Sequence, residues 1–209
     1  MRHGLTVGEL AQLFKTERRL AVDLTVIPMQ NWSREMFFDQ TALPWTNPSP
    51  NMRSLTEAIL YPGVGLLEFC EVSVGRGTDT PFEVVGAPYV DELRLADELN
   101  RAGITGVRFV PVRFTPIASV FKGKSCSGVN IILTDRRRAR VVDIGLRIAQ
   151  TLNRLYPQQF SLEKFNKLLA DRTTLDAVRD GKSLNLIRQE WWSDLEEFQK
   201  RRASCLLYQ

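Results

Sequence analysis

With 209 residues, 44% of them hydrophobic and 25% charged, the chain can bury one full core plus part of a second. Its net charge of +4 has one focus, Arg136, Arg137, Arg138 and Arg140, which follows an apolar run and reads as a solvated turn rather than a nucleic-acid face. No stretch approaches the ~18 apolar residues of a membrane span. The lone His3 and three scattered cysteines, Cys70, Cys126 and Cys205, offer no metal-ligand spacing. No nucleic-acid partner, membrane span, metal or cofactor is therefore expected, and the cysteines read as small buried residues.

Met1-Arg2-His3-Gly4 runs directly into Thr6-Val7-Gly8-Glu9, a capping box backed by Leu10, Leu13 and Phe14, without the pattern of a secretory leader. Leu20 to Ile27 alternates, is rich in β-branched residues and reads as a strand ending at Pro28. A parallel strand needs neighbours, so this opening resembles the middle of a larger fold. Its exposed edge would favour a homo-oligomer through the N-terminal strand. Residues 30 to 53 are turn-rich but hold Trp32, Trp45, Pro44, Pro48 and Pro50, a composition expected of a functional loop. Ser54-Leu55-Thr56-Glu57 opens a second helix, expected to stop before Pro62-Gly63.

Leu67, Phe69, Glu71 and Ser73 alternate and suggest a strand leading into SVGRGTDTPFEVVGAP. That loop sets Arg76 between Gly75 and Gly77, then adds Thr78, Asp79, Thr80 and Glu83. Glycines flanking an arginine allow positive φ and a close approach to a ligand. The inventory suits a polar, anionic small molecule. The spacing matches neither a dinucleotide fingerprint nor a P-loop. Beyond it, Asp91–Ala102 reads as a helix ended by Gly103, Val107–Phe114 and Val129–Leu133 as strands, and Val142–Tyr156 as a helix. The remainder, from Ser161, Thr174 and Ser183, reads as helices broken by turns. The fold class is mixed α/β with a helical C-terminal quarter.

The ordered set RHGLTVGELA, LTVIPMQNW, LPWTNPSPNM, LYPG, SVGRGTDTPFEVVGAP, GVRFVPVRFTP, CSGV with TDR, LYP and the final Trp–Asp-Leu–Phe–Arg pattern resembles the exo-β-N-acetylmuramidase family of glycoside hydrolases, formerly a domain of unknown function. The resemblance runs from about His3 to Tyr208. It implies that residues 1–32 end a Rossmann-like domain lying mostly outside this chain, and that 33–209 form the C-terminal α/β domain. It further implies release of terminal N-acetylmuramic acid from peptidoglycan fragments, in a periplasmic or secreted setting, with a leading carboxylate in the other half. Ala42 stands where glycine is common in the family.

On that footing Arg76 is the candidate for the lactyl carboxylate, since a guanidinium offers two parallel donors. It would otherwise tie the loop to a nearby acid. Asp79 and Glu83 are the candidate general acid or base. Asp79 would otherwise order its own turn, and Glu83 would otherwise pair with Arg76 or another base. Thr78 and Thr80 are candidates for sugar hydroxyls, Trp45 for stacking, Asn51 for the N-acetyl group, and His3 for a donor across the domain cleft. The competing class is a non-catalytic carbohydrate-binding or assembly module needing a partner domain.

Overall fold

Thr6 starts helix α1 (Val7–Glu17) as the sequence predicts: its hydroxyl accepts from Glu9 N at 3.3 Å, and Glu9 Oε2 accepts from Thr6 N at 2.7 Å. The computed structural model describes residues 3–208; Met1-Arg2 of the opening motif and Gln209 lie outside the described residues. By contact density the chain divides into Trp45–Ile187 and a second unit that joins the stretch through Pro44 to Arg188 onward.

In the second unit the expected strand at 20–27 does not form. The segment lies in no ladder, because a strand exists only where another backbone pairs with it. It lies along α1 instead, where Gly8 admits Val26: a Cβ on Gly8 would sit 2.5 Å from Val26 Cγ1. Ile27 stays 89% exposed. Ala42 adopts φ 59°, a left-handed conformation that explains why glycine suits the position. Helix α8 (Trp192–Ala203) ends this unit, with α7 (Leu184–Glu190) preceding it across the boundary. Within the unit, Arg201 on α8 reaches Glu17 at 2.8 and 3.0 Å, and the Tyr208 ring meets Trp32 edge-on at 4.8 Å.

The first unit is built on a three-stranded antiparallel sheet in the order β1 (Val84–Ala87), β3 (Cys126–Leu133), β2 (Val107–Phe114). Pro111 is tolerated because β2 is an edge strand. Strand β1 lies inside what the sequence presents as loop. Helix α3 (Glu92–Arg101) has Asp91 as its N-cap, accepting from Arg94 N at 2.9 Å, and Gly103 at φ +64° beyond its end. It packs on β2 and β3. Asn100 fastens it there, donating to Phe109 O at 2.7 Å and accepting from Phe109 N at 3.0 Å.

The long helix α4 (Val141–Leu155) carries Ile144, Ile148 and Leu152 at zero exposure, each contributing about 2 kcal/mol of burial. It packs on α2 (Leu55–Val64), α3, α5 (Leu162–Leu169) and α6 (Arg172–Arg179). Helix α2 runs through Pro62 instead of stopping before it. Proline forfeits only one hydrogen bond this near the helix end, while Leu60, Gly63 and Val64 are buried against α4. The alternation at Leu67–Ser73 is likewise no strand. Gly65–Leu67 form a 3-10 turn, and Ser73 makes a single bridge to Gly86. Cys70, Cys126 and Cys205 are free and buried, and burial pushes the Cys70 thiol up to about 12. Among the described residues, no helix is long and apolar enough to cross a membrane.

Candidate active site

The Ser73–Gly86 bridge closes the base of the loop through two backbone bonds of 2.8 and 3.0 Å, and Phe82 N donates to Val74 O at 2.7 Å just above it. Inside that neck Thr78 holds the turn: its hydroxyl donates to Gly75 O at 2.6 Å and accepts from Thr80 N at 3.2 Å. Thr78 is thus committed to the loop in this conformation. Gly77, at φ +81°, accepts from Ile117 N at 2.9 Å, and a Cβ there would lie 2.4 Å from Ala118 N. Both the conformation and the approach require glycine. Gly77→Ala is expected to cost about 2 kcal/mol in urea unfolding; a change within experimental error would show that the turn relaxes freely.

Three charged groups of the loop meet partners from outside it. Arg76 Nε donates to Glu68 Oε1, and its guanidinium carbon stands 5.4 Å from the centroid of the Phe82 ring. The expected Arg76–Glu83 pairing is therefore not made. Nη1 and Nη2 remain as donors on a side chain that is 35% exposed. Glu83 instead accepts from Ser54 Oγ at 3.2 Å, at the N-terminus of α2. Burial pushes the Glu83 carboxyl above its ordinary range; the Ser54 bond opposes the shift and the Glu57 charge adds to it. Asp79 is fully exposed (104%) and contacts Arg53 at 3.4 Å, a solvent-screened pairing that adds little to stability.

Arg53 also donates through Nε to Pro50 O at 3.2 Å, so one arginine spans the Pro-rich turn and the glycine loop. Asn51 lies in that turn, where its own N–H donates to Ser49 Oγ at 3.4 Å. Trp45 is half-buried at the start of the same unit, and Thr80 is half-buried in the loop. His3 is exposed in the other unit, with Nδ1 accepting from Leu5 N at 3.2 Å. Arg53, Ser54, Glu57 and Glu68 escaped the sequence reading. Ser54 and Glu57 were visible only as a capping box, and that box does form: Ser54 Oγ accepts from Glu57 N at 3.1 Å. The same hydroxyl that caps α2 thus also holds Glu83. Among the described residues no group of acids, cysteines and histidine is arranged to hold a metal.

Two solved DUF1343 family proteins from Bacteroides fragilis NCTC 9343 share this fold, both 30% identical. One has a TM-score of 0.86 over 98% of this chain and 56% of its own, the other 0.73 over 99% and 56%. The fold class is thus the mixed α/β architecture of DUF1343 proteins. The profile of the C-terminal domain of the exo-β-N-acetylmuramidase NamZ matches residues 59–208, and that of the N-terminal domain matches residues 1–56. The chain belongs to the exo-β-N-acetylmuramidase NamZ family. It is 39% identical over its whole length to the peptidoglycan β-N-acetylmuramidase NamZ of Bacillus subtilis (strain 168), and spans about half, 51%, of that relative.

Proposed function

We propose that the chain serves an exo-β-N-acetylmuramidase acting on peptidoglycan-derived sugars, with Glu83 as proton donor and Arg76 as the reader of the lactyl carboxylate. The observation that carries this reading is the half-buried Glu83 carboxyl, raised by burial and seated on Ser54 within a family of muramidases. A carboxyl that holds its proton to a higher pH than an ordinary glutamate is suited to protonate a departing glycosidic oxygen. Asp79, exposed and set beside Arg53, supplies a second carboxylate at the rim. Thr80, Trp45 and Asn51 are the further contacts proposed for the sugar.

The test is hydrolysis of a chromogenic β-N-acetylmuramide by the chain alone and with the N-terminal half of the Bacillus subtilis relative added. Activity is expected on addition. Glu83→Gln is expected to lower kcat by about two orders of magnitude with little change in KM. Its effect on stability has the opposite sense. A raised carboxyl loses stability as pH climbs from its unfolded value through its folded one, so removing the charge should leave the fold as stable or more so at neutral pH. Full activity in Glu83→Gln would reject the assignment. Saturable sugar binding with no hydrolysis in either mixture would favour the second reading, a binding module, which rests on the loop burying only one carboxyl.

A further inference from the structure

Helices α3, α4 and α6 leave between them a groove of about 550 Å³, within the range of small-ligand sites and lined by none of the loop residues above. Four arginines face it, and three are accounted for by the protein itself. Arg101 and Arg179 close α3 and α6, where cations complement the carbonyl ends, and they pair with Asp97 (3.0 Å) and with Glu163 and Asp176 respectively. Arg154 pairs with Glu98 at 2.6 Å. Arg147 differs. Its Nε is buried with no hydrogen-bond partner among the described residues. Burial weakens its hold on the proton, and the Asp143 charge one turn earlier only partly offsets that cost.

One turn further along the same face of α4 stands Gln150, only 7% exposed. Its amide is oriented by Nε2 donating to Lys182 O at 2.8 Å, which leaves Oε1 buried and without a partner. A buried orphan donor and a buried orphan acceptor each cost about 1–3 kcal/mol unless something satisfies them. The pair asks for an oxyanion that accepts from Arg147 and a hydroxyl that donates to Gln150. We propose that this groove is a second binding site, for a small hydroxylated oxyanion such as a sugar acid or a sugar phosphate. The site does not depend on the glycosidase reading, and its test uses no hydrolysis.

The experiment is heteronuclear NMR of the arginine Nε–H signals of the full chain, titrated with glucuronate, with a hexose phosphate and with inorganic phosphate. The expected result is a saturable shift of the Arg147 signal. Glucuronate alone would assign a sugar acid, the hexose phosphate alone a sugar phosphate, and both together the shared chemistry. Read from the Arg154 and Arg179 signals of the same groove, Arg147→Gln is expected to weaken binding roughly tenfold or more, from loss of a charge-assisted contact. Arg147→Lys, which keeps the charge and packing but lacks the Nε donor, should weaken it as well. Gln150→Leu should abolish the preference for hydroxylated ligands over inorganic phosphate. No saturable shift with either sugar, binding unchanged in both Arg147 variants, or equal response to inorganic phosphate in the unaltered chain would overturn the proposal.

Discussion

Gly145→Ala is expected to destabilise the chain by about 3–5 kcal/mol, a large share of the ~5–15 kcal/mol typical of a domain. Helices α2 and α4 meet backbone to backbone. A Cβ on Gly145 would stand 2.2 Å from Gly63 O, and one on Gly63 would stand 1.7 Å from Val141 O. Neither obstacle is the end of a flexible side chain, so one methyl group must push two helices apart. The faces that would part carry Leu60, Val64, Ile144 and Ile148, all at zero exposure. Urea unfolding of Gly145→Ala, Gly63→Ala and the double variant measures it. Because both glycines serve one contact, the double variant should cost clearly less than the two single losses together. Strict additivity, or a loss below about 1 kcal/mol, would mean that the crossing is not the constraint described. Helix α2 also carries Ser54 and Glu57 at its start, so its displacement should disturb Glu83 as well.

Elements set by local chemistry were legible in the sequence. The Thr6, Ser54 and Asp91 caps mark helix starts, Gly103 marks an end, and β2 has the expected bounds. Elements decided by distant partners were not. Leu20–Ile27 has a strand's composition without a strand beside it, and Val84–Ala87 is a strand because β3 lies next to it. Pro62 stays helical because Gly63 and Gly145 let α2 and α4 close on each other. The candidate site divides in the same way. The glycine loop stood out by its own inventory of side chains. The groups that hold its charges, Glu68 for Arg76, Ser54 for Glu83 and Arg53 for Asp79, come from earlier segments, and sequence spacing carries no sign of them.

The second large effect is expected at Glu9, whose carboxylate is fully buried at the N-terminus of α1. Burial alone would raise its pKa. The Thr6 amide at 2.7 Å, the Leu207 amide at 2.8 Å and the Arg34 guanidinium at 2.5 Å outweigh burial and hold the carboxyl at about 2, against an ordinary 4.5. Arg34 also donates to Gly4 O at 2.7 Å and Tyr208 O at 3.3 Å, so one ion pair joins the beginning of this unit to its end. A depressed carboxyl contributes stability that is complete above its unfolded pKa and lost as pH falls through the folded one. The window therefore runs from about pH 4.5 down to about 2. The contribution at neutral pH is on the order of 3 kcal/mol. Glu9→Gln should forfeit that amount at neutral pH, because it leaves the Arg34 charge without its counter-ion. It should also flatten the acid limb of the stability profile, so that the variant and the parent converge as pH falls. Urea unfolding across that limb reads both effects. A constant gap between the two proteins down to the lowest pH would mean that Glu9 acts through packing and not through its charge.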